Sequence, residues 1–422
     1  MWTEWDSVAV GLLSLAVALG GCWSGTDADD HYFARGMSFP APASVAFAPM
    51  ANFMAHEALG ERDPRADAIP AVTKVLLRGL GSTEVGRAAP LEVLPAAVAA
   101  VELVAALTFW IVSPRGWLRV AASVAAVAAM VCAPPERGVV HALVVFAFAA
   151  MRRAHVSPLS YFAAGALLVA VALSDALLAP LLVPWLLSGY RCSAPVAMRM
   201  AWLVTLWQLA EAIGRADPRT AAFHLDATDP ARYVATATAA WEAAVGTSLW
   251  SNAPHFGNSW QMYQLLFPRF HRGTRIVAAL LSLIPPCATA IATHGRGVCT
   301  ADSARGIAAV AVLSSAVFGN FMHPTHVLLA FAIAPEVSLR IRFGFFVLGA
   351  FIVLWPLLLA YRVAWLELGS MPQPNMPFYG GSFFAFTVAL YIGQLVARLV
   401  VEARVRIARL EAAEPVAPGC AR

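Results

Sequence analysis

The stretch Leu91–Val112, LEVLPAAVAAVELVAALTFWIV, decides the fold class. It stays apolar for longer than the roughly 20 residues a helix needs to cross a hydrocarbon core of about 30 Å. Glu92 near its start and Glu102 near its middle are its only charged residues. A carboxylate inside an apolar span is expensive, so Glu102 is either a contact for a polar headgroup or a helix-to-helix link.

The rest of the chain is written in the same alphabet. Hydrophobic residues make up 60% of the 422 positions and charged residues 13%, against about 45–50% and about 25% in soluble proteins. With 29 basic and 25 acidic side chains, a water-exposed surface of this size has too little polar cover. A soluble globular enzyme is excluded. The net charge of +4 is small, and no basic stripe interleaves with aromatics, which excludes a disordered or nucleic-acid-binding chain. The expectation is an all-α, polytopic membrane helical bundle, with residues 1–422 forming a single multipass domain.

Further apolar runs are Trp117–Ala133, Pro158–Leu187, Ala194–Leu209, Thr274–Ala292, Gly306–Met322, His323–Val337, Phe343–Val363 and Ser382–Val401. Gly138–Met151 is apolar but shorter than an upright span. Pro158–Leu187 is longer than one span, and Pro180 and Pro184 are positioned to break or kink it. The N-terminal run Val8–Leu19 has an acidic flank, Glu4 and Asp6, and reads as a retained first membrane helix rather than a cleaved signal. Together these predict about 10–12 transmembrane helices. Three polar stretches lie outside the bilayer: Gly25–Pro90, Gly214–Asn258 and Leu368–Gly381. Residues 25–90 form the first lumenal loop, with Ala41–Leu59 as an interfacial or re-entrant helix; 214–258 is a polar loop. None is long enough for an independent catalytic domain.

Arginine sets the orientation, because Lys74 is the only lysine. Arg398, Arg404, Arg406 and Arg409 follow the last apolar run in VARLVVEARVRIARL, which is amphipathic as a helix. The 402–422 tail is therefore expected in the cytosol, with Arg152/Arg153 and Arg340/Arg342 in further cytosolic loops.

Candidate chemistry is sparse. Asp27, Asp29 and Asp30 sit in GTDADDHYFARG after the first apolar run. Paired carboxylates there suit a polytopic glycosyltransferase, one holding a divalent metal and one acting as base; a solvated acidic loop is the commoner meaning of the pattern. His323 and His326, three apart, have metal-ligand spacing but no third ligand nearby, and read as interfacial histidines. Asp175 and Gln394 join Glu102 as polar groups within apolar runs. The six cysteines are scattered without a CxxC pair, so no disulfide framework, zinc site or other metal centre is expected. No cofactor motif, nucleophile triad or phosphate loop is present.

The stretch Ala253–Phe270, APHFGNSWQMYQLLFPRF, resembles a signature of the PIG-U family, multipass subunits of the GPI transamidase complex of the endoplasmic reticulum. That signature reads approximately Ser-Pro-Asn-x-Gly-x-x-Trp-Tyr-Phe-Phe, then an acidic position and two further phenylalanines. Pro254, Gly257, Trp260, Phe267 and Phe270 fall on matching positions, and Tyr263 keeps an aromatic. His255 replaces the family's asparagine and Leu265 its glutamate. Phe318–Pro335 is similar to the next family segment through Phe318, Val327, Leu329 and Pro335. There Pro324-Thr325 is displaced by two, and His326 stands where the family has aspartate. Looser likenesses are GMSFPAPASVAFAPM (36–50), the run from Ser160 to Leu187, and the run from Trp365 to Gln394, which carries Asn375.

The resemblance implies a subunit that makes no bonds itself and has no catalytic residues or cofactor. It presents the GPI lipid to a separate cysteine-protease-like subunit, which joins it to proproteins in the endoplasmic reticulum membrane. On that reading Trp260, Tyr263 and Phe267 form one helical face toward lipid. Asn375 and Gln394 sit near the headgroup, and His326 is a further contact; for the aromatic face, ordinary packing is the rival. The alternative function is a dolichol-phosphate-mannose-dependent mannosyltransferase of GPI biosynthesis. It shares the lumenal-loop glycosyltransferase (GT-C-like) architecture and would use Asp27, Asp29 and Asp30.

Overall fold

Why the chain breaks into helices is visible at its punctuation. The computed structural model describes residues 47–60, 69–113, 116–131, 133, 135–153, 158–174, 176–187, 198–206, 208, 271–294, 301–318, 325–335, 347 and 375–413. Outside them lie the Val8–Leu19 run, Asp27, Asp29, Asp30, Asp175, the 214–258 stretch, Trp260, Tyr263, Phe267, His323, all of Phe343–Val363 but residue 347, and the end of the 402–422 tail. Among the described residues the structure is helical, with no strand.

Helix α1 (Ala48–Leu59) opens with proline in its first turn and stops at Gly60, whose φ of 72° is the left-handed conformation that glycine adopts without penalty. Helix α2 (Ala71–Gly81) follows Pro70. Helix α3 (Glu84–Ala88) is capped by the Thr83 hydroxyl, which accepts from the Gly86 amide at 3.0 Å. Proline also opens α4 (Pro90–Val112), α6 (Pro135–Arg153) and α7 (Pro158–Ser174), where its missing N–H costs nothing. Between α4 and α6 lies α5 (Trp117–Val131). The long 158–187 run breaks around Pro180, while Pro184 falls in the first turn of the helix that follows. A 3-10 turn (Ala176–Leu181) containing Pro180 separates α7 from α8 (Leu182–Leu187).

The later helices are α9 (His271–His294), α10 (Ala301–Phe318), α11 (Thr325–Ile333) and α12 (Asn375–Ala413). Two differ from the hydropathy pattern. The 323–337 run yields a helix of only nine residues, α11, too short to cross a bilayer. In contrast, α12 spans 39 residues, about 58 Å at 1.5 Å per residue, and takes in the end of the stretch assigned to a polar turn. Among the described residues two segments are long and apolar enough to cross a membrane, Pro90–Val112 and Ala385–Arg409. Shorter apolar helices are Trp117–Val131, Leu159–Ser174, Leu281–Thr293 and Ser303–Val317.

Helix α10 is the centre. Every residue from Ser303 to Val317 is buried, as expected for a helix enclosed on all sides. Its glycine, alanine and serine content permits that close approach. Around it pack α9, α11, α12 and the 3-10 turn with α8. Helix α6 packs against α4, α5 and α7, while α11 lies against α5 and joins the two groups. Helices α1 and α2 form a cap over one end. Phe47, Met50, Phe53, Met54, Ile69 and Leu77 share a core with Leu94 and Val98 of α4 and Val139 of α6. Arg78 ion-pairs with Glu57 across the cap at 3.3 Å. Polar bonds fasten it down: Thr73 Oγ1 donates to the Glu136 carbonyl at 2.6 Å, and the Val72 amide donates to Ser174 Oγ at 3.1 Å.

The opposite end is rich in arginine. Arg119 donates to the Ser113 carbonyl at 3.2 Å and Arg152 to that of Val112 at 3.5 Å. Both neutralise the negative C-terminus of α4 while lying over Trp110 and Phe109. Arg406 of α12 donates to Ser303 at the start of α10 at 3.4 Å, so the C-terminal half of α12 reaches this end as well.

An aromatic clasp closes α7 on α8. The Tyr161 hydroxyl donates to the Trp185 carbonyl, and Trp185 Nε1 donates to the Tyr161 carbonyl at 2.9 Å. The two rings stack at 5.1 Å, with the indole lying on Gly165. Arg199 caps the arrangement by donating to the Leu186 carbonyl at 2.6 Å and to the Tyr161 hydroxyl at 3.3 Å.

Candidate functional site

Beneath the cap, where α5 ends and α6 begins, polar side chains meet inside apolar surroundings. Glu102, at the middle of α4, is 3% exposed. Its carboxylate lies on α6 where Gly138 has no side chain: a Cβ there would sit 2.4 Å from Glu102 Oε1 and 3.2 Å from the Met130 carbonyl. Glycine at 138 is therefore what lets α4 bring a carboxylate to this level. Glu102 makes no hydrogen bond with a described residue.

One turn further along α6, His141 is also buried. Its Nδ1 is 2.7 Å from the Ala129 carbonyl. A carbonyl only accepts, so Nδ1 carries the proton and satisfies one of the carbonyls that α5 leaves open at its C-terminus. The His326 ring, at the start of α11, meets His141 edge-on at 5.6 Å. Helix α11 is brought there by its packing on α5 and α10.

The acceptor here is the Glu102 carboxyl group, and in apolar surroundings each bond it accepts, from a hydroxyl or an ammonium, counts for more than in water. Among the described residues no group of three or more histidine, cysteine or acidic side chains is placed to hold a metal ion.

The candidates from sequence are dispersed. His326, expected at the interface, is fully buried. The structure brings it against His141 of α6. Asn375 is the first residue of α12, and Gln394 is exposed on the outside of the same helix. They are about 28 Å apart along the axis at 1.5 Å per residue, so one headgroup does not bridge them. Glu102 stands out in sequence by its position in an apolar run. His141 and Gly138 do not, because they fall in the Gly138–Met151 run, where a histidine and a glycine form no motif.

The outer surface supports a lipid environment. Val104, Ile111, Trp117, Val120 and Val124 are exposed on α4 and α5, and Phe383, Phe386 and Leu390 on α12. Large apolar side chains exposed along these helices suit a surface that faces lipid. The described chain is thus an all-α protein with two helices suited to a membrane. No protein-family model matches it, and no curated protein matches it at a significant level.

Proposed function

We propose that this chain is a multipass subunit of the endoplasmic reticulum membrane that binds the GPI lipid and presents it to the cysteine-protease-like subunit of GPI transamidase. It makes and breaks no bond itself. The observation that carries this reading is the Ala253–Phe270 segment, with the ordered likenesses that follow it to Gln394. Buried polar side chains inside the bundle, Glu102 against α6 and the His141–His326 pair, suit a polar headgroup better than they suit acyl transfer. The arginine end faces the cytosol and the α1–α2 cap the lumen. The 422-residue chain forms a polytopic bundle of about 10–12 spans with a GT-C-like layout.

The test is affinity purification of the full chain in mild detergent, followed by identification of what comes with it. A caspase-like cysteine protease is expected, and cells lacking this chain should accumulate complete GPI and unprocessed proproteins. Failure to recover such a protease sinks the proposal. A mannosyltransferase is distinguished by replacing Asp27, Asp29 and Asp30 together with asparagine. A transferase then accumulates under-mannosylated GPI, whereas a presenting subunit tolerates the change.

A further inference from the structure

The C-terminal half of α12 presents a surface that neither the bundle nor the headgroup cluster uses. Leu399 and Ala403 are buried there. Leu399 lies against Gly306 of α10, and Arg406 is held by Ser303, so positions 399, 403 and 406 make the inward stripe. On the far side Val401 is 58% exposed and Val405 44%, and Ala408 and Ala412 are exposed in line with them. Spacings of four, three and four place these on one apolar stripe. The stripe continues the outer face of the span from Phe383, Phe386 and Leu390.

Arg404 and Arg409 are exposed on its two flanks, each about 70° round the helix axis from the stripe's centre. Neither makes an ion pair with a described residue, whereas Arg398 is neutralised by Glu402 at 2.9 Å. The four arginines of this segment therefore do different work. Arg398 is satisfied within the helix and Arg406 is held against α10; Arg404 and Arg409 point outward.

We infer that this stretch of α12 binds the phosphate headgroups of anionic phospholipids, with Val401 and Val405 resting on acyl chains and Arg404 and Arg409 gripping phosphates to either side. Guanidinium is suited to this, since it pairs two donors with two phosphate oxygens. An exposed apolar stripe bracketed by cations, continuous with a lipid-facing helix, matches an interface that is oily below and negatively charged above. The inference needs a bilayer around α12 and is independent of the transamidase reading.

The full chain, reconstituted in phosphatidylcholine vesicles with and without phosphatidylserine, is extracted and its retained lipids counted by native mass spectrometry. Retained phosphatidylserine should exceed its share of the bilayer, and the excess should shrink with added salt. Each of Arg404→Gln and Arg409→Gln should lower the preference about five-fold, and the pair about 25-fold, from roughly 1 kcal/mol per arginine near a charged surface. Arg406→Gln should leave it unchanged. An equal preference in the two single variants and the parent, or one indifferent to salt in the parent, overturns the inference. The salt series on the parent decides it even if the double variant fails to fold.

Discussion

Substituting Gly165 by alanine tests the aromatic clasp, and the structure supplies the magnitude. A Cβ at this position falls 2.4 Å from Trp185 Cζ2, 2.6 Å from Cε2 and 3.0 Å from Cη2. Carbon atoms rest at about 3.5 Å, so the indole must move by roughly 1 Å. It has little freedom to do so. Trp185 is fully buried, stacked on Tyr161, and tied to the Tyr161 carbonyl through Nε1. Overpacking of this kind costs about 1–3 kcal/mol, and a strained or broken indole bond adds about 1 kcal/mol. Alanine's better helix propensity returns about 1 kcal/mol. The net expectation is a loss of about 2 kcal/mol. Gly393→Ala is the matched control, since nothing lies within 4 Å of its added Cβ; propensity alone should make it neutral or stabilising by up to about 1 kcal/mol. Equilibrium unfolding in detergent, followed by tryptophan fluorescence, should separate the two alanine variants by about 2–3 kcal/mol on these figures. Equal stability of the two would refute the packing of Trp185 on Gly165.

Two other substitutions bear on different parts of the bundle. Glu102→Met replaces a buried carboxylate that has no described hydrogen-bond partner with an apolar side chain of similar length, so the same unfolding assay should show a gain of about 1–3 kcal/mol. On the proposed reading GPI binding should weaken at the same time, since function and stability are commonly exchanged at a binding site; a fall in stability would mean that Glu102 is held in place by a bonded partner. Tyr161→Phe removes the hydroxyl that donates to the Trp185 carbonyl and accepts from Arg199. It should cost about 1–3 kcal/mol, because both partners stay buried; a change below about 0.5 kcal/mol, within the range of an ordinary surface substitution, would show that the clasp contributes little.

How far the sequence alone reaches depends on whether a feature is local. The helix α4 is legible because apolar length is a property of consecutive residues, and so is the break at Pro180, since proline acts on its own turn. The extent of α12 is not legible. NMPFYGGS, from Asn375, has the composition of a turn. The helix nevertheless starts there, because Pro377 falls in its first turn, where no backbone N–H is needed. Helix α6 outruns its apolar stretch for the opposite reason. Hydropathy stops at Arg137 and Arg152, yet both belong to the helix, and Arg152 reaches the α4 C-terminus.

The site divides in the same way. Glu102 stands out in sequence because a charge in an apolar run is costly wherever that run packs. That it faces Gly138 depends on the crossing of α4 and α6, and that His141 meets His326 depends on α11 packing against α5.

By itself, then, the sequence determined an α-helical chain rich in apolar segments, with arginine gathered at the C-terminal end of its last helix. Composition and hydropathy are additive along the chain and need no fold to be read. Only the tertiary structure decided that α10 is enclosed on every side, that a cap of short helices covers one end, and that Arg404 and Arg409 face outward while Arg406 is held. Those features follow from which helix faces meet. Helices of nearly uniform alanine, valine and leucine do not distinguish one face from another until they are packed.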